Sequence, residues 1–152
     1  MKKNYSNSGF TLIELIIVIA IIAVLATTII SVINPVEYQK VSRDTVRLSN
    51  LNSISQALEL YFASNKTYPT NLDAAAKTAL ESFNSRLSWD DPTGNCSVTY
   101  SKTSSGYILY LPKESASFTV PGGQSLVSVE NTPSGYTCGN TAIQGIIKVE
   151  IK

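Results

Sequence analysis

The 152-residue chain contains no histidine, so it lacks the usual general base and the commonest metal ligand of proteins. It also has almost no net charge, because 12 basic side chains are matched by 11 acidic ones. Bulk electrostatics therefore do not favour nucleic acid as a partner. No nucleophile–base pair, phosphate-binding loop or cofactor fingerprint is present in the sequence. We predict a protein that is not an enzyme and uses no cofactor.

Charge is also absent from one long stretch near the start of the chain. The 19 residues from Leu15 to Ile33 contain no charged side chain, and only two threonines and one serine among them are not apolar. At about 1.5 Å per residue, a helix of this length spans the roughly 30 Å hydrocarbon core of a bilayer. A single carboxylate, Glu14, stands just before the stretch. It needs either the lipid headgroups or a partner that this chain does not supply.

The charges ahead of the apolar stretch predict its orientation. Lys2 and Lys3 are the only charged residues before Glu14, and a basic flank stays on the cytoplasmic side of the membrane. The C-terminal region then lies outside the cytoplasm, where cysteines are normally oxidised. The two cysteines, Cys96 and Cys138, are too far apart for a CxxC redox or metal site. We predict a disulfide between them, which closes a loop of about forty residues and contributes about 3–4 kcal/mol.

The first residues do not match an ordinary secretory signal. Such a signal has its small-residue cleavage site after the apolar stretch, whereas here the small residue, Gly9, comes before it. Cleavage between Gly9 and Phe10 would keep the apolar helix in the mature protein. It would also place a free amine on Phe10, four positions before Glu14.

The stretch GFTLIELIIVIAIIAVLA, Gly9–Ala26, resembles the class III signal and N-terminal helix of type IV pilins and type II secretion pseudopilins. The resemblance implies a leader at residues 1–9, which a prepilin peptidase removes by cutting after Gly9. It also implies that this enzyme methylates the new N-terminal Phe10. The carboxylate of Glu14 would meet the N-terminal amine of a neighbouring subunit and set the register of assembly. An opposite charge favours the ionised carboxylate, and register is the best-supported use of such a pair.

The resemblance further implies where the protein acts and with what. A pilin is first a single-pass protein of the inner (cytoplasmic) membrane, held in lipid with its C-terminal domain outside the cytoplasm, and is then part of an extracellular filament (fimbrium). The implied partners are other copies of the chain, minor pilins, the prepilin peptidase, and an inner-membrane assembly platform with its motor ATPase. Nucleic acid stays open as a ligand of the filament. We interpret the chain as a structural subunit of a type IV pilus-like filament.

Other functions stay open at this point. A pseudopilin of a type II secretion system has the same architecture, and a pilus for DNA uptake belongs to the same class. From a different class, the chain could be a single-pass membrane-anchored adhesin or receptor that never polymerises. Two cysteines towards the end of the chain favour the pilin over the pseudopilin.

One acidic stretch, Asp90–Gly94 (DDPTG), invites comparison with the calcium site of major pseudopilins. Calcium takes six to eight oxygen ligands, and this stretch offers only two carboxylates. A turn ahead of a strand explains the same residues. We therefore predict that the protein binds no metal, which again favours the pilin.

Asn34-Pro35 follows the apolar stretch directly, and proline kinks or breaks a helix. From Val36 to Asn65 there is no further proline or glycine, and apolar residues recur at spacings of three, four and seven. We predict one long helix from about Phe10 to Ser64, bent near Pro35, with an amphipathic second half. Its apolar face is predicted to contain Val41, Val46, Leu48, Leu51, Ile54, Leu58, Tyr61 and Phe62, and its solvent face Lys40, Arg43, Asp44 and Arg47.

After Pro69 the composition indicates a short helix from Leu72 to Ser82, capped by Thr70 or Asn71. Beyond it, serine, threonine, glycine, tyrosine and valine are typical of strands and turns. Tyrosines at strand spacing are interpreted as half-buried sheet residues rather than a stacking surface for bases. The predicted strands are Ser97–Lys102, Tyr107–Lys113, Ser117–Val120, Ser125–Asn131 and Ile146–Lys152, with a turn at Pro121–Gly123.

These elements predict an α+β, pilin-like fold. A long bent N-terminal α-helix, whose first half spans the membrane, packs its second half against a C-terminal antiparallel sheet of about four strands. The predicted division is a leader at residues 1–9, a transmembrane and polymerisation helix at 10–34, an amphipathic half-helix at 35–64 and a globular head at 65–152.

Overall fold

The computed structural model describes residues 9–122, 126–132, 136–139 and 143–152, without the side chains of residues 30–32. Its elements are α1 (Leu12–Val32), α2 (Pro35–Asn65), α3 (Ala74–Glu81), β1 (Thr99–Lys102), β2 (Tyr107–Lys113), β3 (Val127–Glu130) and β4 (Gly145–Ile151). The chain divides into two compact units, the first ending at Val36 and the second beginning at Glu37. Helix α1 belongs to the first unit, and the sheet to the second.

The helix predicted as one run is two helices in the structure. Helix α1 ends at Val32, and the N–H of Ile33 still donates to the carbonyl of Ile29 at 3.1 Å. Ile33 has extended backbone angles of φ −93° and ψ 119°, and α2 begins at Pro35. Proline is tolerated in the first turn because its missing N–H would have no helical partner there. The break therefore follows from Asn34-Pro35, since a residue before proline avoids helical angles.

The second half of the predicted helix, α2, packs one face into the core of the second unit. Leu51, Ile54 and Leu58 have no exposed surface, as their spacing predicted. Val46 and Phe62 were wrongly assigned to this face, because they are 45% and 39% exposed. Val46 stands two residues from the buried Leu48, which is about 200° around a helix of 3.6 residues per turn.

Helix α3 is shorter than predicted and has a different cap. It covers Ala74–Glu81, and the side chain of Asp73 accepts a hydrogen bond from the N–H of Ala76 at 2.8 Å. The predicted caps, Thr70 and Asn71, were wrong, because Asp73 stands next to the first helical residue and supplies a carboxylate to its open N–H groups.

The sheet confirms the predicted fold class, an α+β chain with a four-stranded antiparallel sheet. Its strand order is β1-β2-β4-β3, and every neighbouring pair is antiparallel. Strand β4 alternates as predicted, with Ile147 and Val149 buried and Lys148 and Glu150 partly exposed. Strands β2 and β4 share one hydrophobic core with α2.

The other predicted strands differ in their bounds. Strand β1 begins at Thr99 rather than at Ser97, because Ser97 pairs with Asp90 and the N–H of Val98 donates to Trp89. The predicted strand at 117–120 is a loop. Residues 1–8 of the predicted leader, the end of the turn predicted at 121–123 and the start of the strand predicted at 125–131 lie outside the described residues.

Candidate processing and assembly site

The residues on both sides of the predicted cleavage position are outside any helix. Gly9, Phe10 and Thr11 precede α1, and Thr11 has extended backbone angles of φ −78° and ψ 152°. The Phe10 side chain is 91% exposed. A Cβ placed on Gly9 would have no described atom within 4 Å. Within the described part of the chain, this short segment is open to a binding enzyme.

Glu14 and Thr11 form a reciprocal pair at the start of α1. The Thr11 hydroxyl accepts a hydrogen bond from the Glu14 N–H at 3.3 Å. In return, Glu14 Oε2 accepts one from the Thr11 N–H at 2.9 Å and one from the Thr11 hydroxyl at 2.8 Å. This is a capping box, which satisfies two N–H groups that a helix start leaves open. Sequence reasoning looked for a partner of Glu14 outside the chain and missed this one, although Thr-x-x-Glu is its sequence signature.

Helix α1 exposes its apolar side chains over the stretch whose side chains are described. All side chains from Leu12 to Ile29 are exposed, and this stretch has a mean hydropathy of 2.9. By length and composition, it is the one helix of the described residues that could cross a membrane. Its two threonines are not free polar groups, because the hydroxyls of Thr27 and Thr28 donate at 2.8 Å to the carbonyls of Val24 and Leu25.

The second unit contains a buried group of charges, the Arg47 cluster, which consists of Asp44, Arg47, Asp91 and Glu114. Arg47 is fully buried at its centre. Its guanidinium donates to Asp44 at 2.7 Å, to Asp91 at 2.9 Å and also to Glu114. Arg43 reaches the same Glu114 from a more exposed position, at 2.6 Å. The three carboxylates of the cluster therefore share one buried guanidinium.

The prediction that Asp44 and Arg47 face solvent was wrong. Both have no exposed surface, because they lie on the same helical stripe as Leu48 and Leu51, at spacings of three and four. Asp44 also accepts two backbone hydrogen bonds from the loop after β2, 3.0 Å from the N–H of Glu114 and 2.8 Å from the next N–H. The helical spacing of Asp44 and Arg47 could have indicated that they face the core. Their partners could not be found in this way, because they lie 44 and 70 residues further along the chain.

The cluster changes the pKa values of Asp91, Glu114 and Arg47 in the direction that keeps these three groups charged. Burial alone would raise the pKa of Asp91, but hydrogen bonds from Thr93 and the charge of Arg47 lower it. Burial would also raise the pKa of Glu114, but hydrogen bonds from the two arginines lower it. Burial opposes the charge of Arg47 as well, yet its hydrogen bonds to carboxylates raise its pKa.

A second contact holds the start of α2 to the loop after β2. Glu37 Oε1 accepts hydrogen bonds from the hydroxyl of Ser115 at 2.6 Å and from the hydroxyl of Ser117 at 3.0 Å. These bonds, with the N–H of Ser117, lower the pKa of Glu37 to about 2. This engagement of residues 115 and 117 with α2 explains why the predicted strand at 117–120 is a loop.

The predicted cysteine pair is adjacent to the Arg47 cluster. Cys96 and Cys138 are joined by a disulfide with their Cα atoms 5.4 Å apart. Asp91 lies beside it, and its carboxylate and the two sulfur atoms are within 4.8 Å of one another. These groups are not suited to bind a metal ion. Disulfide sulfur is not a thiolate, which is the form of cysteine that binds metals, and the Asp91 carboxylate already binds Arg47 and Thr93.

The Asp90–Gly94 stretch forms a turn rather than an open set of ligands. The N–H of Thr93 donates to the Asp91 carboxylate at 2.7 Å, and the N–H of Gly94 donates to the Asp91 carbonyl at 2.8 Å. The Asp90 carboxylate accepts a hydrogen bond from the Ser97 hydroxyl at 2.6 Å. Both carboxylates that suggested calcium therefore have partners within the chain.

The tyrosines of the sheet do not form an open stacking surface. Tyr100 and Tyr110 are half-buried, as interpreted from the sequence, whereas Tyr107 is fully buried rather than half-buried. The Tyr107 hydroxyl is within hydrogen-bond distance of Ser55 and Glu59, at 2.7 and 3.2 Å. These three tyrosines are therefore structural residues of the core and the sheet.

Comparison with known proteins bears on the first unit. Residues 4–30 match the family described as "Prokaryotic N-terminal methylation motif", and the match includes Gly9, Phe10, Thr11 and Glu14. The search of curated proteins found no match to this sequence. The matched stretch holds the exposed Gly9–Phe10 segment, the capping box and nearly all of α1. The chain carries the prepilin-type signal of the type IV pilin and pseudopilin family.

Proposed function

We propose that the protein is the structural subunit of a type IV pilus-like filament, assembled from the inner membrane through α1. The observation that carries the proposal is that α1 combines a prepilin-type signal with an apolar surface exposed from Leu12 to Ile29. Before assembly this surface lies in lipid, and after assembly it contacts the same surface of other copies. Processing removes residues 1–9, and methylation follows on the amine of Phe10.

Glu14 gives the assembly its register. Lipid tails are as apolar as leucine, so moving α1 from lipid to a bundle gains little from the hydrophobic effect. Packing and polar contacts then decide which arrangement is the most stable. Glu14 is the only charged residue from Phe10 to Asn34, so pairing with the amine of a neighbouring Phe10 distinguishes one register from all others. A subunit out of register leaves both charges unpaired, which is costly in a medium of low dielectric.

The second unit forms the surface of the filament. The pilin-type family is structural, and we propose no catalytic role for this chain. The disulfide and the engaged carboxylates of Asp90 and Asp91 support a pilin rather than a calcium-binding pseudopilin. A pseudopilin would assemble in the same way but form a short periplasmic filament.

Replacing Glu14 by alanine tests this function directly. We expect Glu14→Ala to abolish filaments sheared from the cell surface while the chain remains in the membrane at its normal amount. Thr27→Ala is the matched control, because the Thr27 hydroxyl donates to the Val24 carbonyl of its own helix, and this variant should assemble normally. Normal filaments from Glu14→Ala would contradict the register role. A wild-type chain that functions at the membrane and never polymerises would instead be an anchored adhesin or receptor.

A further inference from the structure

The capping box places the start of α1 two residues after the predicted scissile bond. The first backbone hydrogen bond of the helix runs from the N–H of Leu15 to the carbonyl of Thr11, at 3.3 Å. The scissile Gly9–Phe10 bond therefore lies outside the helix, and its carbonyl is not part of the helical hydrogen-bond ladder. Proteases act on open chain, and a bond inside a helix is cleaved only after local unwinding.

The sequence offers other places where this helix could begin. Ser6, Asn7 and Ser8 are all residue types that cap helices well. None of them is followed three residues later by Glu or Gln, whereas Thr11 is followed by Glu14. Only Thr11 can therefore form a capping box, which makes it the strongest of the four candidate starts.

A helix that began at Ser8 would conceal the cleavage position. Its ladder would join the carbonyl of Gly9 to the N–H of Ile13, four residues later. The peptidase would then have to unwind the first turn before it could bind the chain. Gly9 also disfavours this longer helix, because glycine inside a helix is less stable than other residues.

We propose that Thr11 is a positioning residue for processing: its capping box with Glu14 ends the helix short of the Gly9–Phe10 bond and keeps that bond open to the prepilin peptidase. This inference rests on the proposed function, since it requires cleavage after Gly9. It assigns to Thr11 and Glu14 a role in the precursor, before Glu14 takes part in assembly. Glu14 would thus act twice, first within one chain and then between chains.

The test compares substitutions at Thr11 in the full-length precursor, placed in membrane vesicles with prepilin peptidase. Thr11→Val keeps the shape of the side chain but removes the hydroxyl, and losing a helix cap changes the ratio of the two helix starts by about five-fold. Because the cleavage rate follows the fraction of chains with the open bond, we expect cleavage to slow measurably, by up to about five-fold. Thr11→Ser and Thr11→Asn keep a capping oxygen and should be cleaved at the wild-type rate. Glu14→Gln should also be cleaved normally, because glutamine completes a capping box.

Backbone chemical shifts of residues 9–12 in the same variants give a second readout. Thr11→Val should move these residues towards helical values, whereas Thr11→Ser and Thr11→Asn should not. Normal cleavage of Thr11→Val, or slow cleavage with unchanged shifts, would overturn the inference. Slow cleavage of both Thr11→Ser and Thr11→Asn would do the same, because it would mean that the peptidase recognises threonine itself. If the wild-type chain is not cleaved after Gly9 at all, the proposed function fails instead.

Discussion

Replacing Arg47 by methionine is the sharpest test of the buried charge cluster. Methionine fills much of the same volume but leaves Asp44, Asp91 and Glu114 without their shared guanidinium. These three side chains are 0%, 3% and 5% exposed, so water does not compensate for the loss. Removing one partner of a buried ion pair typically costs about 3–5 kcal/mol. For a unit of this size, we expect the melting temperature to fall by about 10–20 °C.

Lowering the pH should reduce the difference in stability between this variant and the wild type. In the wild type the pKa values of Asp91 and Glu114 are lowered. Their contribution to the free energy of unfolding is therefore present above pH of about 4 and is lost as the pH falls below that value. In Arg47→Met, Asp91 is buried without a cation and Glu114 keeps only Arg43, so the pKa values of both carboxyl groups rise. Between pH 7 and pH 4, protonation of these carboxylates should stabilise the variant, while the wild type keeps their contribution. The difference between the two melting temperatures should therefore shrink from pH 7 to pH 4.

The assay is thermal unfolding of the full chain in detergent, followed by near-ultraviolet circular dichroism. Lys40→Met is the matched control, because Lys40 is about one-third exposed and lies 3.7 Å from Glu37, and exposed ion pairs contribute little to stability. Adding Asp91→Asn and Glu114→Gln to Arg47→Met should recover much of the lost stability. A fall of less than about 2 °C for Arg47→Met would refute the argument that the cluster is buried and interdependent.

Three further predictions concern the second unit, each measured in the same melting assay. Replacing both Cys96 and Cys138 by serine should cost about 3–4 kcal/mol, because 42 residues separate them, and a change below about 1 kcal/mol would contradict this contribution. Gly106→Ala should destabilise the sheet strongly, since its Cβ would lie 2.0 Å from the Ile151 carbonyl oxygen. Gly122→Ala is the matched control, because its Cβ has no described atom within 4 Å. Hydrogen bonds lower the pKa of Glu37 to about 2 only in the folded state, so the wild type should lose stability between pH of about 4.5 and 2. Glu37→Gln should lose less stability over this range. An equal loss in the variant and the wild type would refute the lowered pKa.

The parts of the fold that sequence predicted best depend on local patterns. The apolar run of α1, the break before Pro35 and the alternation of β4 are each determined by neighbouring residues. Strand β2 was predicted at its observed bounds, Tyr107–Lys113, because a polar turn and a charged residue flank a short apolar run.

The parts that sequence missed depend on distant partners. A charged residue on an amphipathic helix is normally in solvent, so nothing local shows that Arg47 is buried. Its burial requires Asp91 and Glu114, which come from loops 44 and 67 residues further along the chain. The capping box of Thr11 and Glu14 is different, since its signature is local. It was overlooked because the resemblance already gave Glu14 a partner in another subunit.

The central claim is that this chain is processed after Gly9 and exported as a polymer. The most direct test is the intact mass and N-terminal sequence of the protein sheared from cell surfaces. We predict a chain that begins with methylated Phe10 and has a mass two hydrogens short, as the Cys96–Cys138 disulfide requires. A chain that still begins at Met1 and is recovered only from membranes would contradict both processing and polymer export.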